Sequence, residues 1–113
     1  FAAVVCGEDV QRKKPDPEAY GLALRQLGLS PLQALAIEDS PGGVAAARAA
    51  DVPVVVARSR CFERSTLEGA VAIGPGFGQR EGWTPPVAPG AGPVTLDDLC
   101  RWHAEMDCIS QVA

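Results

Sequence analysis

Two short segments of the 113-residue chain hold side chains whose types and spacing suit chemistry. The first is KKPDPEAY (13–20), where Lys14 directly precedes Pro15. A proline biases the residue before it toward extended backbone, and Pro17 stiffens the next step, so the Lys14 ammonium has a defined direction. An ammonium held at the end of a strand neutralises charge that develops on a phosphate or a carboxylate. The plainer reading is a solvated lysine before a proline loop. The second segment is Glu38-Asp39-Ser40 followed by Pro41-Gly42-Gly43. Two adjacent acids beyond a strand offer hard oxygen ligands suited to Mg2+. Neighbouring side chains on an extended chain point to opposite sides, so both reach one ion only where the chain turns, as Ser40-Pro41 encourages. One acid would then bind directly and the other through water. Gly42 and Gly43 bare the backbone N–H groups of the next helical turn to a close approach. The plainer reading makes Asp39 and Ser40 a helix cap and Glu38 a favourable charge at its positive end, worth about 1 kcal/mol.

The remaining reactive residues point elsewhere. His103, the sole histidine, falls within an apolar stripe of the last helix and reads as packing. Cys6, Cys61, Cys100 and Cys108 lack the paired spacing of a zinc knuckle and the density of a disulfide scaffold, so reduced thiols are expected. Arg58 and Arg60 follow a strand and could reach an anion, although a solvated loop accounts for them as well.

These groups need a scaffold, and the hydrophobic pattern supplies one. Ala2–Cys6 is an apolar run closed by Gly7, which predicts a buried opening strand. Asp16 and Pro17 predict the cap and first residue of a helix whose inner face carries Tyr20, Ala23, Leu24 and Leu27. Gly28 and Leu29 should close that helix. Ser30-Pro31 starts a brief turn, and Leu35-Ala36-Ile37 forms a second strand ending at the two acids. Ser40 and Pro41 open an alanine-rich helix, and Val52–Val56 is a third strand. Strand, helix, strand, helix, strand with near-continuous apolar strands predicts an α/β fold with a Rossmann-like parallel sheet and flanking helices. A helical turn is expected near residues 62–67 and a fourth apolar run at 70–73. From Gly74 to Pro93, eleven of twenty residues are Gly or Pro, which predicts an irregular, mobile loop or linker. Thr95 then caps a last helix with Asp98 at the capping-box position and a stripe of Leu96, Leu99, Cys100, His103 and Met106.

Composition narrows the partners. Ten basic against fourteen acidic residues gives net −4 without long charge blocks, which argues against nucleic acid. No apolar run approaches the ~20 residues of a membrane helix. No signal segment opens the chain, and a cytoplasmic setting is expected.

Taken together, KKPDPEAY and IEDSPGGVAAARAA (37–50) resemble the third and fourth motifs of the haloacid dehalogenase-like hydrolases. The nearest branch is the one that includes β-phosphoglucomutase, phosphoglycolate phosphatase and the CbbY sugar-phosphate phosphatases, and VTLDDLCRWH (94–103) is similar to the last helix of the CbbY group. By this resemblance Lys14 contacts the transferred phosphoryl group and the nucleophile, Glu38 and Asp39 hold Mg2+, and Ser40 supports them. The substrate would be a small phosphorylated metabolite.

In that family the nucleophile is an aspartate of an Asp-x-Asp motif, and no Asp-x-Asp occurs in these residues. The resemblance therefore implies the C-terminal part of a core: residues 1–73 belong to the α/β core, 74–93 to the loop and 94–113 to the final helix. The first two strands and the cap domain would be absent, which would leave a gap between the opening strand and the others. A second departure is Asp51, where the family usually has glycine. Two functions follow from these observations. One is a Mg2+-dependent phosphatase or phosphomutase whose aspartyl-phosphate forms outside this chain. The other is a non-catalytic remnant or binding module that needs a partner chain to complete its sheet.

Overall fold

The computed structural model describes residues 1–58 and 67–112, and for 106–112 the backbone alone. Its centre is a three-stranded parallel sheet, β1 (Ala36–Glu38), β2 (Val54–Ala57) and β3 (Ala72–Gly74), in that spatial order. Ile37 pairs with Val55 and Glu38 with Val56, while Val56 pairs with Ile73 and Ala57 with Gly74. β2 is the middle strand, and Val54, Val55 and Val56 are all fully buried. The unbroken β-branched run identified this strand because a parallel strand covered on both faces has no polar side to show.

Alternation along the strands splits the interior into two layers. Ala36, Val54 and Val56 face one way and pack with Leu24 and Tyr20 of α1 (Glu18–Leu27) and with Val44 and Ala47 of α2 (Pro41–Ala49). Val55 and Ala72 face the other way, onto Trp83 and onto Trp102 of α3 (Leu96–Val112). The sheet is therefore covered by α1 and α2 on one side and by α3 with the preceding loop on the other.

The local signals around both helices act through hydrogen bonds. The Asp16 carboxylate accepts the Glu18 N–H at 2.9 Å, so it caps α1 from one residue further out than expected. Gly28 takes a left-handed conformation while its N–H reaches Arg25 and the Leu29 N–H reaches Leu24, a Schellman close. Ser40 Oγ accepts the Gly43 N–H at 3.2 Å and Pro41 follows at the first position of α2. Asp51 holds φ = 60° at the end of α2, and the N–H of Val52 reaches the Ala47 carbonyl. The left-handed close thus forms with aspartate, among the residues more tolerant of that region, in place of glycine.

Two expectations need correction. Ala2–Cys6 is not a strand: the segment is largely exposed, with Val4 at 66%. A strand exists only as a member of a ladder, and no described strand lies beside this one. The three described strands are contiguous, and among them none lies on the far side of β1, where the gap was expected. The stripe on α3 is also different. Leu96 is 74% exposed and Cys100 is exposed, whereas Asp98 and Trp102 are the buried positions. Residues 62–66 of the expected turn lie outside the described residues, as do Arg60, Cys61 and the Met106 and Cys108 side chains.

The reason for the α3 shift lies in the Gly/Pro stretch, which has no helix or strand between Gly74 and Leu96 yet is anchored by Trp83 and Arg80. Trp83 is buried between Phe77 and Trp102, with ring centroids 5.2 and 5.0 Å away. It lies against Gly74, where any side chain would strike the indole. Arg80 grips Asp98 with two parallel bonds of 2.7 and 3.0 Å and donates further to the carbonyls of Ala88 and Pro93. Asp98 also accepts the Thr95 N–H and hydroxyl in the expected capping box. The guanidinium, and after it the Thr95 N–H, hold the Asp98 carboxyl well below the usual carboxylate range. A carboxyl whose folded pKa is depressed stabilises the fold above its unfolded pKa of about 4, and that stabilisation is lost as pH falls toward the folded value. Asp98→Asn is therefore expected to flatten the loss of stability below about pH 4. Urea denaturation at pH 7 and pH 3 checks this, and equal losses in variant and wild type would contradict it.

Candidate functional site

The carboxyl ends of all three strands lie at one rim of the sheet, the side on which open parallel sheets bind ligands. Glu38 is the last residue of β1 and shares its face with Ala36, so its side chain points under α1 and α2 and is only 7% exposed. A buried carboxylate needs partners. Lys14, from the loop before α1, donates to Glu38 Oε1 at 2.6 Å. The Tyr20 hydroxyl, from the first turns of α1, donates to the same oxygen. The Lys14 ammonium also sits 5.8 Å from the Tyr20 ring centroid, within cation–π reach. Lys14 and Glu38 are 24 positions apart in sequence, so the contact is made by the fold rather than by a local turn. The Lys14–Pro15 peptide is cis.

Gly43 explains how the carboxylate fits. A Cβ at this position would overlap the Glu38 carboxylate. Alanine would gain about 1 kcal/mol of helix propensity there. Overlap with a pinned, buried group costs about 1–3 kcal/mol, so the steric term outweighs the propensity. The Lys14 side chain is 48% exposed, so solvent screens its attraction to Glu38. The contact matters chiefly as a direction for the ammonium rather than as stability. Burial, and then the hydrogen bond and charge of Glu38, push the Tyr20 phenol above its ordinary pKa, so it remains a donor at neutral pH.

The sequence-derived site residues are not equivalent in the structure. Lys14 and Glu38 meet, Ser40 caps α2, and Asp39 stands exposed just past the end of β1. Magnesium takes near-octahedral oxygen coordination, commonly one or two carboxylates with phosphate and water. Asp39 fits that role as an exposed carboxylate at the rim. Glu38 Oε1 is already engaged by an ammonium and a phenol, and among the described residues no three His, Cys, Asp or Glu side chains converge on one point. The described residues thus form no complete cation cage.

Other candidates sit elsewhere. His103 is half-buried in a groove of about 330 Å3 with Leu35, Ile37 and Leu99, and its Nε2 is buried without a partner. Ile37 points to the face opposite Glu38, so this groove is separate from the Lys14 site. Cys6 and Cys100 are free and exposed. The Arg58 N–H donates to the Gly74 carbonyl at 2.8 Å, next to the same rim. The site residue missing from the sequence reading is Tyr20, which there served only as an apolar position of α1. Its signal was available: a tyrosine on an inward stripe carries a hydroxyl that must find a partner.

Comparison with known proteins identifies relatives of this chain. The family model described as haloacid dehalogenase-like hydrolase matches residues 1–57. The plasmid-encoded CbbY protein of Cupriavidus necator is 38% identical over 105 residues, which are 91% of this chain and 41% of that protein. A phosphoglycolate phosphatase of Salmonella paratyphi A is 46% identical over 55 residues, 49% of this chain and 22% of its own length. Among solved structures, CbbY from Rhodobacter sphaeroides in complex with phosphate superposes with a TM-score of 0.55 at 39% identity, covering 57% of this chain and 28% of that one. A variant of the same protein in complex with xylulose-(1,5)-bisphosphate superposes equally well. The chain spans less than half the length of these relatives. With the family model covering the segment that builds the Lys14–Glu38 contact, the chain belongs to the haloacid dehalogenase-like hydrolases.

Proposed function

We propose that this chain contributes the phosphate-neutralising and cation-binding side of a Mg2+-dependent phosphatase that acts on small phosphate monoesters, sugar phosphates above all. The observation that carries this reading is the Lys14 ammonium fixed on buried Glu38 at the carboxyl rim, beside exposed Asp39. The phosphate and sugar bisphosphate named with the related CbbY structures support the substrate class.

Phosphoryl transfer requires positioning and charge neutralisation more than elaborate covalent chemistry. Lys14 directs its positive charge at the transferred group while Glu38 holds the ammonium in place. Asp39 would hold a bound cation directly, and Glu38, engaged by Lys14 and Tyr20, would act on it through water. Ser40, by capping α2, fixes the turn that sends Glu38 inward and Asp39 outward. A bound Mg2+ would supply further neutralisation of phosphate charge and orient the phosphate. The nucleophile is an aspartate outside these 113 residues, which form an aspartyl-phosphate only together with it.

A second reading, a non-catalytic module that completes its sheet with a partner chain, draws on one observation: among the described strands β1 has a neighbour on one side only. Two experiments separate these readings. In the full-length protein, Lys14→Ala and Asp39→Ala should each lower turnover of a small phosphate monoester by at least about a hundredfold. Retained turnover in both variants would leave only the second reading. The 113-residue chain by itself should show no hydrolysis of an aryl phosphate in a colorimetric assay, and sustained turnover there would refute the placement of the nucleophile elsewhere.

A further inference from the structure

We infer that Tyr20 is a positioning residue of the phosphate site: its hydroxyl pins the Glu38 carboxylate, so that Glu38 serves Lys14 and Asp39 is left to meet the cation. This assignment rests on the phosphatase reading above and adds a residue to it.

Tyr20 touches both members of the ion pair. Its O–H donates to Glu38 Oε1, the oxygen that also accepts Lys14 Nζ at 2.6 Å, and its ring lies 5.8 Å from that nitrogen. A carboxylate oxygen has two lone-pair directions, and two donors occupy both at Oε1. The rest of the carboxylate lies against Gly43, where the backbone of the first turn of α2 leaves no room for a side chain. Rotation of the carboxylate is therefore blocked from two sides, by paired donors at one oxygen and by a helix backbone behind. Lys14 is half-exposed and carries a long, flexible stem, so its own contact would not hold the carboxylate in one orientation.

A purely space-filling tyrosine makes a different prediction. Tyr20 does pack against the core on the α1 and α2 side of the sheet, and phenylalanine fills nearly the same volume. If packing were its whole role, losing the hydroxyl would leave the site untouched. If the hydroxyl orients Glu38, its loss frees the carboxylate and the ammonium drifts into water without unfolding the protein.

The test is Tyr20→Phe in the full-length protein, read in two ways. Steady-state kinetics on a small phosphate monoester should show kcat reduced about tenfold with KM little changed, the pattern of a lost alignment rather than lost binding. Lysine 15Nζ NMR, with the Lys14 ammonium signal identified by its disappearance in Lys14→Gln, should show that signal broadened by faster exchange with water. Wild-type kcat together with an unchanged ammonium signal would overturn the assignment. So would a Tyr20→Phe protein that is unfolded by circular dichroism, because the hydroxyl would then be structural. Should the wild-type protein lack phosphatase activity, the parent reading fails while the ammonium signal still decides the role of Tyr20.

Discussion

The site depends on one buried carboxylate. Glu38 ends a strand at the rim of the sheet, under two helices, where an unpaired charge would be costly. Everything around it meets that demand. Lys14 arrives from a loop 24 positions upstream, Tyr20 reaches in from α1, and Gly43 stands back to leave room. The same contacts that make the burial tolerable also aim an ammonium along the rim, so the solution of a folding problem sets the charge arrangement on which the proposed phosphate chemistry draws.

This economy explains the division of labour between two neighbouring acids of opposite exposure. The strand alternation turns Glu38 inward, and the chain bends at Ser40 directly afterwards, leaving Asp39 in solvent. Adjacent residues of the same charge type thereby have different electrostatic surroundings. One is bound to a fixed cation of the protein, and the other stands open toward the solvent side of the rim.

How much of this was legible in the sequence follows from the range of the forces involved. Caps and closes are local hydrogen bonds between residues three to five apart, so Ser40-Pro41, Gly28-Leu29 and Thr95 with Asp98 could be read directly. The valine run of β2 was legible because burial on both faces leaves a continuous apolar string. Ala2–Cys6 carries an apolar string too, but a strand also needs a partner, and composition cannot supply one. The inner face of α3 was misread because its true neighbours, Trp83 and Arg80, lie in a stretch whose glycines and prolines announce only irregularity. Lys14, Glu38 and Asp39 were singled out by type and spacing, and the fold brings the first two into contact. The Tyr20 hydroxyl was not, because its partner is set by the crossing of α1 over β1 and not by any sequence interval.

The one-sided pairing of β1 has a geometric corollary. Strands in a sheet run roughly 4.8 Å apart, so a further parallel strand laid along its other edge would bring its carboxyl end within a side chain's length of Glu38 and Asp39. Whatever residues occupied its last positions would emerge at the same rim as the lysine and the two acids. Among the described strands none takes that place beside the charged cluster.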